Sequence, residues 1–161
     1  MNLLDRFLGH DAWTTRQLLG ICAELPDEVL DREYDIGLRT LRKTLHHIIS
    51  NMEIWSSLMS NEIVERTTMD QTVAGMLRRL TTAETRLRAV AERTETQQAW
   101  DELWTDTLDN PPREKSFGTA IAHVITHSMH HRAQVLYMLR LSGVKSLPEG
   151  DVFSWEAVAR S

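Results

Sequence analysis

Four long stretches of this sequence place apolar residues three and four positions apart, which is the spacing of a helix that buries one face. These stretches cover residues 3–25, 40–61, 69–97 and 119–142. Asp11 and Thr15 interrupt the apolar face of the first. Only seven glycines and four prolines break the 161 residues, which favours long helices over a β fold with many turns. The sequence therefore predicts an all-α protein, an antiparallel four-helix bundle around one core.

The segments between these helices differ in character. Residues 27–35 are acidic and predict a short helical turn. The helical period fails over residues 100–117, where an Asn-Pro-Pro sequence predicts a short irregular or hairpin insertion before the last long helix. Residues 143–161 predict a loop followed by one more helical turn. No linker or repeat divides the chain, so we expect a single domain over residues 1–161.

Charge and composition exclude several classes of protein. The chain has 18 Lys and Arg against 23 Asp and Glu, and this net charge of −5 argues against binding nucleic acid through its phosphates. No stretch approaches the roughly 18 uncharged apolar residues that cross a bilayer, and the charged N-terminal stretch does not look like a signal peptide. We therefore expect a cytoplasmic protein that binds neither nucleic acid nor membranes. The lone Cys22 excludes an internal disulfide and is predicted to be a small buried hydrophobe.

The histidines are unevenly distributed. Four of the seven lie within nine residues of the last predicted long helix, at His123, His127, His130 and His131. Uniform scattering would place about 0.4 histidines in such a window. Residues four apart share one face of a helix, so His127 and His131 can both reach one metal ion. This pair is the strongest indication of chemistry in the sequence.

A third ligand must come from another segment, and His10, His46 and His47 remain as histidine donors. His47 is the best candidate because it lies beside the apolar stripe of the second predicted helix, whereas His46 lies about 100° round that helix. No competing motif for zinc, phosphate or a serine nucleophile is present. The alternative is that these histidines only pack in the bundle or lie on its surface, satisfied by hydrogen bonds.

Four segments carry a resemblance to a known family. They are HDAWTTRQLL with Trp13, LPDEVL, TLHHIISNMEIW with His47 eight residues before Trp55, and HVITHSMHHRAQV. Through them the chain resembles the DinB-like (YfiT-type) metalloenzymes, whose fold is a four-helix bundle. The resemblance implies a divalent metal bound by His47, His127 and His131. Relatives often have glycine where this chain has Ala133, and many have a carboxylate where it has Met52, so no role is carried over to Glu53.

Three neutral imidazoles leave a tetrahedral metal ion with an open position, which is typical of catalytic sites. They suit Zn, Ni, Cu or Fe, of which we expect Zn or Ni. The resemblance implies a small-molecule substrate, a homodimer, and a transferase that activates a low-molecular-weight thiol such as bacillithiol, mycothiol or glutathione. Two alternatives remain open. One is a hydrolase that uses metal-activated water, and the other is a metal-binding or interaction protein without turnover.

Five further residues are candidates for supporting roles. Asn51 and His123 lie one turn from predicted ligands. Asn51 is predicted either to contact a ligand or the substrate or to have a surface or capping role, and His123 either to support a ligand or to be an alternative ligand itself. Arg132 is predicted either to meet an anionic cosubstrate or to form an ion pair within the bundle. Trp55 and Trp104 are predicted to line a pocket or to belong to the core.

Overall fold

The computed structural model describes residues 1–63 and 70–161. Within them lie α1 (Leu3–Ala23), α2 (Asp27–Leu30), α3 (Leu41–Met59), α4 (Val73–Gln97), β1 (Leu103–Asp106), β2 (Arg113–Ser116), α5 (Phe117–Leu141) and α6 (Val152–Ala159). The fold is mostly helical, and the four predicted long helices, the acidic turn and the hairpin are confirmed. The predicted third helix began at Met69, which lies outside the described residues. The last helix is longer than the single turn expected, with eight residues.

Each long helix begins at a polar residue whose side chain accepts a hydrogen bond from a backbone N–H of the first turn. Asn2 and Asp5 form a reciprocal capping box at the start of α1. Thr40, Thr72 and Ser116 cap α3, α4 and α5. The caps of α3 and α5 set where the helices that carry the clustered histidines begin.

The core lies between the four long helices. Both α1 and α3 pack against α4 and α5, so that α3 shares one seam with α5 and another with α4. The stripe predicted on α3 is confirmed, since Leu45, Ile48, Ile49 and Met52 are almost completely buried. On the first helix, however, Asp11 is buried as deeply as these apolar residues.

The hairpin leads directly into α5. Its strands are antiparallel, with Trp104 opposite Lys115, and Ser116 is both the last strand residue and the cap of α5. Trp104 is buried in the core cluster. The hairpin therefore places an aromatic ring at the start of α5, 6.5 Å from the ring of Phe117.

Within residues 1–63 and 70–161, no helix combines the length and the apolar character that a bilayer span requires.

Candidate metal centre

Three histidines meet at the seam between α3 and α5. Nε2 of His127 lies 3.2 Å from Nε2 of His47 and 3.2 Å from Nε2 of His131. The candidate ligand atoms of the three residues all lie within 4.8 Å of one another. The structure thus brings together the three histidines that the sequence singled out, across 80 residues of chain between His47 and His127.

This spacing fits a bound transition metal. Two imidazole nitrogens held at about 2.0–2.1 Å from a tetrahedral ion are separated by about 3.3 Å. The observed 3.2 Å is close to that value. The group consists of histidines alone, and nitrogen donors of this kind suit Zn, Ni, Cu or Fe.

The surroundings keep the rings of His47 and His127 neutral. Burial, followed by the charges of His131 and His47, lowers the pKa of His127 to about 4. Burial and the charge of His131 also lower the pKa of His47. A metal ligand must be a neutral imidazole with a free lone pair, so His47 and His127 are in the protonation state for metal binding at neutral pH.

The Nδ1 atoms of the two α5 histidines differ in their hydrogen bonding. Nδ1 of His131 donates to Oε1 of Gln134 at 2.8 Å, and Nε2 of Gln134 donates to Nε2 of His130 at 3.0 Å. Nδ1 of His127 is buried, and no residue of the described part of the chain accepts its hydrogen bond. The sequence analysis missed Gln134, although its position three residues after His131 puts the two side chains on one face of α5.

An aromatic group borders the cluster on the side of the hairpin. The ring of His123 lies 5.2 Å from that of His127 and 5.1 Å from that of Trp55. Trp55 in turn contacts Trp104, at 5.8 Å between ring centroids, and lies under the ammonium of Lys115 at 4.8 Å. His123 is therefore a ring neighbour of the cluster and not a member of it. Trp104 belongs to the core, while Trp55 is half-buried.

Asn51 is half-buried on α3, one turn after His47. Its Oδ1 is buried and has no hydrogen-bond partner within residues 1–63 and 70–161. That it contacts a ligand or the substrate therefore stays a prediction.

The other histidine donors are held elsewhere. Nδ1 of His46 accepts from the guanidinium of Arg79 at 3.0 Å, and the same guanidinium pairs with Glu53 at 2.7 Å. His10 contacts the backbone oxygen of Gly150 at 2.7 Å. His46 and Glu53 thus belong to a polar network between α3 and α4, which we call the Arg79 network. Neither residue is part of the cluster of His47, His127 and His131.

Arg132 follows His131 but reaches the opposite seam. Its buried guanidinium pairs with the carboxylate of Asp11 and lies 3.4 Å from the hydroxyl of Thr15, both on α1. Of the two roles predicted for Arg132, the ion pair is confirmed. The same contact explains why Asp11 and Thr15 interrupt an apolar helix face, because they form a polar pocket for the arginine.

Cys22 is completely buried, as predicted. Burial raises the pKa of its thiol to about 12, so the side chain is a neutral thiol and an inert part of the core.

The comparisons with known proteins agree with this architecture. The model of the DinB family matches residues 1–154. The fold is similar to the crystal structure of a DinB-like protein from Bacillus cereus ATCC 10987, with a TM-score of 0.62 and 19% sequence identity. The match covers 86% of this chain and 91% of that one. No curated protein is significantly similar to the sequence.

Proposed function

The chain belongs to the DinB family, and on this premise we propose that it binds one divalent transition-metal ion through His47, His127 and His131 and acts as a metal-dependent thiol transferase. The observation that carries the proposal is the convergence of three histidines from two helices, with Nε2 of His127 lying 3.2 Å from Nε2 of both His47 and His131. Histidines that only filled a bundle core would each be satisfied by a hydrogen-bond partner of their own. Here the ring nitrogens of the three histidines face one another instead.

The donor set fits Zn or Ni, and such an ion supplies a Lewis acid with an open position that lowers the pKa of a bound thiol or water. The chain contributes the rest of the site. Burial keeps His47 and His127 neutral, so their lone pairs are available at neutral pH. The half-buried Trp55, next to His123, offers an aromatic surface on which the substrate can rest.

The thiol is proposed to come from a cosubstrate. The only sulfhydryl of the chain is Cys22, which is buried and whose pKa is raised to about 12. A thiolate nucleophile therefore has no source within this chain, and a low-molecular-weight thiol supplies it in the proposed reaction.

We further propose a cytoplasmic homodimer built from a single domain over residues 1–161, with a small-molecule substrate and without nucleic-acid or membrane binding. The dimer rests on the family premise. The exclusion of nucleic acid rests on the net charge of −5, since an acidic protein lacks the excess of cations that phosphate binding requires.

The metal site is tested by measuring bound metal after refilling the purified protein with Zn or Ni. We expect about one equivalent in the wild type and a large loss in His47→Ala. His10→Ala is the matched control, because its ring contacts Gly150 outside the cluster and should leave the metal content unchanged. A wild-type protein that retains no ion would refute the proposed site.

The reaction is tested by offering the metal-loaded protein a panel of small thiols with a chromogenic aryl electrophile. Turnover that requires both thiol and metal supports the transferase. Hydrolysis of an activated ester without any thiol would replace it by the hydrolase. Metal binding with no turnover in either assay would identify a non-catalytic metal-binding protein.

A further inference from the structure

We infer that Gln134 is a positioning residue that fixes the ring and tautomer of His131, and that the backbone at Gly37 holds the Gln134 amide in place. The inference rests on the proposed metal site. It is carried by two hydrogen bonds and one close backbone approach, all among described residues.

The first hydrogen bond determines which nitrogen of His131 is free. Oε1 of Gln134 can only accept, so Nδ1 of His131, 2.8 Å away, must carry the proton. A neutral imidazole has one N–H, and Nε2 therefore keeps its lone pair. This is the nitrogen that points toward Nε2 of His127.

The second hydrogen bond agrees with this orientation of the amide. Nε2 of Gln134 lies 3.0 Å from Nε2 of His130 and donates to it. If the amide were turned over, its NH₂ group would face Nδ1 of His131 and would require the other tautomer, in which Nε2 carries the proton. That tautomer cannot bind a metal through Nε2.

Gly37 confines the amide from the other side. It lies in the segment between α2 and α3 and has φ +46, a conformation that glycine adopts readily. A Cβ at this position would lie 2.3 Å from Oε1 of Gln134, closer than any real contact. The absence of a side chain therefore gives the amide its space, and the loop before α3 supports a residue of α5.

A ligand histidine whose second nitrogen donates to an acceptor is more basic and better oriented than one without. Loss of such a partner costs about 10–100-fold in metal affinity. Among the three clustered histidines, His131 has this support from Gln134, whereas Nδ1 of His127 has no partner within the described residues. We therefore expect His131 to depend on Gln134.

The main experiment compares Zn affinity, by chelator competition, in Gln134→Leu and Gln134→Glu. Leucine removes the acceptor, and we expect the Kd to rise about 10–100-fold. Glutamate keeps an acceptor oxygen and should restore affinity to the wild-type range. Gln17→Leu is the matched control, since it makes the same change at a half-buried glutamine of α1 that faces Leu147 and Pro148.

A second comparison tests the role of Gly37. Gly37→Ala should weaken Zn binding because the new methyl group displaces the Gln134 amide. Gly143→Ala is its control: this glycine also has positive φ, at +90, but a Cβ there meets nothing within 4 Å. Backbone strain alone would affect both variants, whereas displacement of the amide affects Zn binding only in the first.

The tautomer itself is measured by ¹⁵N NMR of histidine-labelled, metal-free protein. We expect His131 to carry its proton on Nδ1 in the wild type and to lose this preference in Gln134→Leu.

Wild-type Zn affinity in Gln134→Leu, or an Nε2–H tautomer in the wild type, would overturn the inference. If Gln134→Leu does not fold, the wild-type tautomer and the Gly37 comparison decide. If the wild type binds no Zn, the proposed function fails while the tautomer measurement still tests this inference.

Discussion

Two consecutive residues of α5, His131 and Arg132, each belong to a buried or half-buried polar group, and the two groups differ in their charges. Arg132 crosses to α1 and pairs with the carboxylate of Asp11, so that a buried cation meets its own anion. His131 turns to α3 and meets two further histidines, in a group that contains no carboxylate. The first arrangement contains both charges of an ion pair, and the second contains no anion.

The difference follows from counting protons. Each neutral imidazole has one N–H and one lone pair, and Nδ1 of His131 already carries the proton of that ring. Nε2 of His127 can donate at most one hydrogen bond, although it lies 3.2 Å from two other nitrogens. At least one lone pair therefore faces another nitrogen without a proton between them. A cation bound between the three Nε2 atoms would satisfy all of them, whereas the Asp11 carboxylate already has its counter-charge in Arg132.

The largest expected effect comes from breaking the self-contained pair. Arg132→Met leaves the Asp11 carboxylate buried without its cation, and we expect the free energy of unfolding to fall by about 3–5 kcal/mol. Urea denaturation measures this loss. The variant should still bind Zn when folded, because the Asp11–Arg132 pair contributes no atom to the histidine group.

The double variant Asp11→Leu with Arg132→Met is the control for this experiment. Removing both charges leaves no unpaired ion, so we expect it to be more stable than Arg132→Met alone. If the single substitution instead removed Zn binding and left stability unchanged, Arg132 would belong to the metal site and the contrast between the two groups would disappear.

Much of this architecture could be predicted from local patterns. The helices follow from apolar spacing, and the pair His127 and His131 follows from helical geometry alone. The pattern could not show that Asp11 would be paired, because its partner is 121 residues away and is chosen by the packing of α1 against α5. Asp11 therefore looked like an interruption in an apolar face, although it is buried in the folded chain.

The support of His131 was hidden for a related reason. Gln134 is near His131 in sequence, but its orientation depends on Gly37, which lies almost a hundred residues earlier. A glycine in a loop signals only that a turn is present. Its role as open space for an amide appears only when the loop has packed against α5.

The histidine group should make the metal-free protein less stable in acid. In the unfolded chain His127 titrates near its ordinary value of 6.5, whereas in the fold its pKa is about 4. Between these values the unfolded state binds more protons, so the stability of the metal-free protein falls as the pH drops from 6.5 toward 4. Unfolding free energies in urea at pH 7, 6 and 5 measure this slope.

His127→Ala is the comparison for the pH experiment. It removes the group with the depressed pKa, and the stability of this variant should therefore decline less steeply over the same range. Carboxylates titrate in both proteins and cancel in the comparison. Equal slopes would show that the cluster does not hold His127 neutral.

The smallest effect on Zn binding is expected for a substitution of His46. It tests whether His46 and its neighbour His47 on α3 have different roles. His46 contacts the Arg79 guanidinium at 3.0 Å, while His47 lies in the cluster. His46→Ala should change the Kd for Zn by less than about threefold and cost about 1 kcal/mol of stability, since Arg79 keeps its ion pair with Glu53. Chelator competition on His46→Ala and His47→Ala, with urea denaturation of both, makes the comparison. If the two substitutions weakened Zn binding equally, the Arg79 network would be part of the metal site, and its separation from the histidine cluster would be wrong.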